Sequence, residues 1–123
     1  MKIKATVSTN KPDLYGNIMS DETLKEIVSF VLKHSPVSLY ENSLGKLQGA
    51  IDSAIFSDER VSVTGWIENA AIESLIKKNI LSIVPTYEPV YQKGGDEFAW
   101  KLKHFSITHL PIEHEIGPVT EIK

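Results

Sequence analysis

The run Phe98–Pro111 (FAWKLKHFSITHLP) leaves this chain fewer ways to fold than any other stretch. It comes after Lys93-Gly94-Gly95-Asp96, a hairpin signal between Tyr87–Gln92 and Glu97–Leu110. It also concentrates the reactive side chains, since Trp100, Phe98, Phe105, His104, His109 and Ser106 all fall within it. The segment is therefore expected to be a central strand, and to carry whatever chemistry the chain performs. On an unbroken strand Phe98, Trp100, Leu102, His104 and Ser106 share one face, because side chains alternate.

The remaining elements fall into place around that strand. Ile3, Ala5 and Val7 alternate with polar residues, the period of a half-buried strand. Asn10–Asn17 is rich in turn formers and predicts a loop. Ser20 can cap a helix running to about residue 34, with Asp21 and Glu22 at its positive end. Leu24, Ile27, Val28, Val31 and Leu32 give that helix one apolar face, and Pro36 ends it. Val37–Glu41 is extended and Asn42–Gly45 is a turn. Lys46–Phe56 and Arg60–Ile67 flank Ser57-Asp58-Glu59 as an antiparallel hairpin, with Gly65 marking a bulge or a close backbone approach. Asn69 can cap a second helix to about Lys78, with Ile72, Leu75 and Ile76 inward. Ile80–Val84 is a strand, and Pro85 and Pro89 confine the segment beyond Val84 to edges or loops. The order strand, helix, hairpin, helix, hairpin predicts an α+β fold, a mostly antiparallel or mixed sheet or barrel carrying two helices. Residues 1–111 form a single domain in this reading, and 112–123, with Gly117 and Pro118, an extended C-terminal arm.

Composition removes several functional classes. The net charge of −3 argues against a sequence-independent nucleic-acid binder, which needs clustered Lys and Arg. The absence of cysteine excludes disulfides, thiolate zinc sites and a cysteine nucleophile. No apolar run approaches the roughly 18 residues of a membrane span, so no membrane partner is expected. The amino terminus alternates apolar and polar residues, unlike a signal peptide, and the expected protein is soluble.

The candidate sites each have a plain structural reading. His104 and Ser106 lie about 7 Å apart along a strand, too far for the roughly 3 Å hydrogen bond between a nucleophile and its base. Any base for Ser106 must come from elsewhere in the fold. His109, Glu113, His114 and Glu115 match no zinc spacing, so no metal is expected. Asp13 and Asp21 sit at a turn and a helix start, where carboxylates have local roles. Gly94-Gly95 precedes a strand rather than a helix, so there is no phosphate loop and no cofactor is expected.

Taken as a pattern, the chain resembles the prohead maturation proteases of tailed bacteriophages, relatives of the herpesvirus assemblin serine proteases. The likeness is carried by the D-x-x-G turn at Asp13–Gly16 before a helix, the Pro36–Asn42 stretch, and Leu47-Gln48-Gly49-Ala50 opening a hairpin. Phe105-Ser106-Ile107-Thr108-His109-Leu110-Pro111 is similar to the family's nucleophile segment. The resemblance implies a protease-like fold with Ser106 in the nucleophile position. It also puts Glu41 where the family has its general-base histidine, and Asn42 where an aspartate comes next. An ordinary carboxylate is about two pK units less basic than imidazole, a deficit near 3 kcal/mol for removing a serine proton.

The resemblance therefore implies a pseudoenzyme: an auxiliary or decoration protein of the phage capsid, with a protease-like fold and no catalytic base. Its expected partners are the major capsid protein or other virion proteins, and a homo-oligomer is compatible with this. Its location would be the virion, and the host cytoplasm during assembly. The arm 112–123 would dock on neighbouring subunits by adding a strand to an exposed edge. An active head-maturation protease is the alternative, with Ser106 as nucleophile and Glu41, His104 or His109 completing the site. A small interaction domain unrelated to capsids is a third.

Overall fold

The structure is a computed structural model describing residues 1–12, 16, 18–41, 46–91, 98–109 and 116–123, with 89–91 and 98–100 described by their backbone alone. The elements run β1 (Lys2–Thr9), α1 (Asp21–His34), β2 (Val37–Glu41), β3 (Lys46–Ser57), β4 (Arg60–Ile67), α2 (Ala70–Lys77), β5 (Ser82–Tyr91), β6 (Phe98–Thr108) and β7 (Thr120–Glu121). The seven strands form one sheet in the order β5-β6-β2-β3-β4-β1-β7. All strand pairs are antiparallel except β2 with β6, so the sheet is mixed. It curls into a half-barrel that brings β1 towards β5. The fold is thus the expected α+β class with two helices. Strand β6 is interior to the sheet but second from its edge, and β3 occupies the middle.

Local chemistry explains the elements that the sequence marks clearly. The Ser20 hydroxyl accepts from the Thr23 amide and caps α1, and the Asn69 side chain accepts from the Ile72 amide and caps α2. Between β3 and β4 both turn residues, Asp58 and Glu59, are left-handed (φ 53° and 63°), the twist that suits a two-residue hairpin. A Cβ at Gly65 would overlap the Ala50 carbonyl, and one at Gly49 the Trp66 carbonyl. Close backbone approach, not a side-chain preference, demands glycine there.

The core gathers inside the curl. Ile3, Val7, Ile51, Val61, Ile67, Ile83 and Phe105 from the sheet meet Leu24, Ile27 and Val31 of α1 and Ile76 of α2. The expected helix face holds for Leu24, Ile27 and Val31, and Val28 is partly buried; Leu32, however, is 64% exposed. It sits past the border of the stripe, where α1 no longer faces the sheet. Strand β5 runs unbroken through Pro85 and Pro89, joining segments that the sequence separates. Its place at the sheet edge tolerates residues without an amide hydrogen.

The expected arm behaves otherwise over the part described. Ile116 and Val119 are buried, and β7 pairs with β1, Lys4 opposite Thr120. The Val119 amide donates to the Leu81 carbonyl at 2.8 Å, and the Ser82 hydroxyl to the Gly117 carbonyl at 3.0 Å. Residues 116–123 therefore bridge β1 and the start of β5, adding their strand within the same molecule. Burial of two aliphatic side chains drives this closure.

Candidate functional site

Ser106 lies on β6 between Val84 of β5 and Tyr40 of β2. Directly paired residues on neighbouring strands point to the same side of a sheet. The face of Ser106 therefore also carries Val84 and Tyr40, along with His104 and its partner Thr86. This face is turned away from the core, which takes Phe105 and Ile107 from the same strand.

The alternation expected along β6 is broken. The register with β5 shifts between Thr86 and Tyr87, where Lys103 is the extra residue. Beyond that bulge Leu102 turns into the core, opposite Tyr87, instead of sharing a face with His104 and Ser106. The side chains of Phe98 and Trp100 lie outside the described residues. The same-face placement of His104 and Ser106 is kept.

Although it is on the outer face, Ser106 is only 4% exposed. Its hydroxyl is 2.6 Å from the Thr86 hydroxyl, one donating to the other. No imidazole bonds it among the described residues. His104 instead packs its ring against the edge of Tyr40, with centroids 4.7 Å apart at 63°. Burial lowers the pKa of His104 below its ordinary 6.5, and the Lys103 ammonium lowers it further, partly offset by Glu88. The ring is neutral at pH 7, as a base must be, but sits two residues along the strand, facing a phenol.

Glu41 is the neighbour of Ile107, not of Ser106. One step along a strand reverses the side-chain direction, so Glu41 lies on the opposite side of the sheet from the Ser106 hydroxyl. His109 is exposed just past the end of β6. The four residues that the protease alternative would join thus do not converge: His104 shares a face with Ser106, Glu41 does not, and His109 is beyond the strand. Asn42, Asp13 and the group Glu113, His114 and Glu115 lie outside the described residues.

The partners that the sequence left unseen are Thr86 and Tyr40. Thr86, the strand partner of His104, reaches the serine hydroxyl diagonally across the β5–β6 pairing from 20 residues away, and Tyr40, which lies in the Pro36–Asn42 stretch but has no role assigned there, comes beside it through the parallel β2–β6 contact. Compared with known proteins, the chain matches no family model, no curated protein and no solved structure.

Proposed function

We propose that this chain is a non-catalytic auxiliary protein of a tailed-phage virion, built on the scaffold of a prohead maturation protease whose proteolytic centre is lost. One observation carries the loss of catalysis: the Ser106 hydroxyl is buried and bonded to Thr86 while Glu41 points to the other side of the sheet. A nucleophile needs a base within about 3 Å and open access for a peptide carbonyl; among the described residues no base bonds the Ser106 hydroxyl, and Ser106 is buried. The phage reading rests on the resemblance in residues 13–20, 36–50 and 105–111. Its partner would be the major capsid protein or another virion protein. With residues 116–123 engaged inside the molecule, docking would use the sheet surface rather than a free arm.

One feature favours the protease alternative, namely the neutral imidazole of His104 on the same face as Ser106. A fluorophosphonate probe separates the two. The expected result is no labelling of the purified chain, no cleavage of co-expressed capsid or scaffold protein, and co-sedimentation with capsids. The substitution Ser106→Ala should leave capsid association intact and lower stability by about 1 kcal/mol through loss of the Thr86 bond. Labelling that Ser106→Ala abolishes would establish the protease. Absence of both labelling and capsid association would leave an interaction domain of another kind.

A further inference from the structure

Strand β4 turns Val63 and Ile67 into the core, so Thr64 and Trp66 point to the outer face of the sheet. Lys2 and Lys4 lie beside them on β1, paired with Trp66 and Thr64. Asp52 joins this face through an irregularity in β3. The register with β4 shifts between Ile51 and Ser53, and Asp52 is the extra residue. Its carboxylate accepts from the Thr64 hydroxyl at 2.9 Å, and its carbonyl accepts from the Ser35 hydroxyl at 3.0 Å. The bulge therefore holds a carboxylate in place near a tryptophan. Glu68 follows β4, its amide donating to the Gln48 carbonyl at 2.9 Å. Lys2, Asp52, Trp66 and Glu68 line a cleft of about 310 Å³.

The lining restricts what the cleft can hold. Trp66 is half-buried, and among the described residues the Lys2 ammonium and the Glu68 carboxylate have no hydrogen-bond or ion-pair partner. Asp52 and Glu68 balance Lys2 and Lys4, so this part of the face has no net charge. A cation would meet the two lysines, and an anion the two carboxylates. An apolar segment would strip water from these charges and leave them unpaired, which is costly. A neutral ligand with many hydroxyls and one apolar face avoids all three penalties. A pyranose is such a ligand. Its C–H face stacks on an indole, while its hydroxyls donate to carboxylates and accept from an ammonium. The volume lies at the lower end of small-ligand sites, about 300–1,000 Å³, and suits one or two rings.

We infer that this cleft is a saccharide site, in which Trp66 is the stacking platform and Asp52, Glu68 and Lys2 fix the ring through its hydroxyls. It is separated from Ser106 by β2 and does not rest on the capsid reading.

The test titrates the full chain with cellobiose, maltose, lactose and chitobiose, up to the millimolar range of weak single-site binding, and follows it by heteronuclear NMR. At least one disaccharide should move the Trp66 indole signal and the amides of residues 52 and 64–68 saturably, while the Trp100 indole signal stays in place. Trp66→Ala should weaken that binding at least about tenfold, and Glu68→Ala about threefold or more, with the circular dichroism spectrum kept. The Glu68 side chain is exposed, so its variant carries the test even if Trp66→Ala fails to fold. Tetramethylammonium chloride and sodium phosphate should leave the same signals unmoved. An equal response to either salt would overturn the saccharide assignment. Absence of saturable shifts with every disaccharide, or binding indifferent to Glu68→Ala, would overturn it as well.

Discussion

His104 shows how much of a side chain's behaviour is set by neighbours rather than by identity. Partial burial against Tyr40 and the adjacent Lys103 ammonium disfavour the imidazolium, and Glu88 offsets only part of this. The folded pKa lies below the value of 6.5 that the unfolded chain retains. Between those two values the unfolded chain binds more protons than the folded one, so stability rises with pH through that window and levels off above it. In urea titrations the wild-type midpoint should fall as the pH drops from about 7.5 to about 5, and the fall should be smaller for His104→Gln. Parallel pH profiles for the two proteins would refute the account. Ser106 belongs to the same small environment. Its hydroxyl contributes a structural bond, which is an ordinary use of a serine beside a threonine on adjacent strands.

At the scale of elements, helix α1 separates packing from hydrophobicity. Val31 is fully buried and Leu32 is 64% exposed, although both are apolar and adjacent in sequence. Val31→Ala should cost about 2 kcal/mol in equilibrium unfolding, because it removes methyl groups and leaves a cavity. Leu32→Ala should change stability by no more than about 0.5 kcal/mol. Comparable losses would mean that the helix is rotated from the orientation described. Such elements were legible in the sequence because their causes are local: the caps at Ser20 and Asn69, the Asp58-Glu59 turn, and the period of β4. The pairing of Leu39 with Phe105 was not legible, since it joins strands with no short connection and no complementary motif. Nor was the bulge at Lys103, which reverses the faces expected for Leu102 and hides behind an apparently regular alternation. The candidate site divided in the same way. The serine and its same-face histidine could be read along one strand, whereas the position of Glu41 depended on a register between two.

At the scale of the whole molecule, the C-terminal residues decide whether the half-barrel is one cooperative unit. Strand β1 is held by β4 on one side and by β7 on the other, and the segment leading into β7 is bonded to Leu81 and Ser82 at the start of β5. Ile122 adds a further bond, its amide donating to the Lys2 carbonyl at 2.9 Å. Each of the buried Ile116 and Val119 side chains contributes roughly 1.5–3 kcal/mol, a substantial part of the 5–15 kcal/mol typical of a domain. Removing residues 116–123 should therefore lower the midpoint of the entire unfolding transition, and not delete a separate early phase. Val119→Asp, which buries a carboxylate beside apolar neighbours, should have the same effect with the chain length unchanged. Amide exchange would identify the coupling directly: β1 and the first residues of β5 should lose protection together in both variants. A truncated chain with an unaltered midpoint and unaltered protection would instead mean that the segment is a detachable arm, free to be exchanged with a neighbour. In the arrangement described, that exchange is opposed by the bonds which tie β1 to β5.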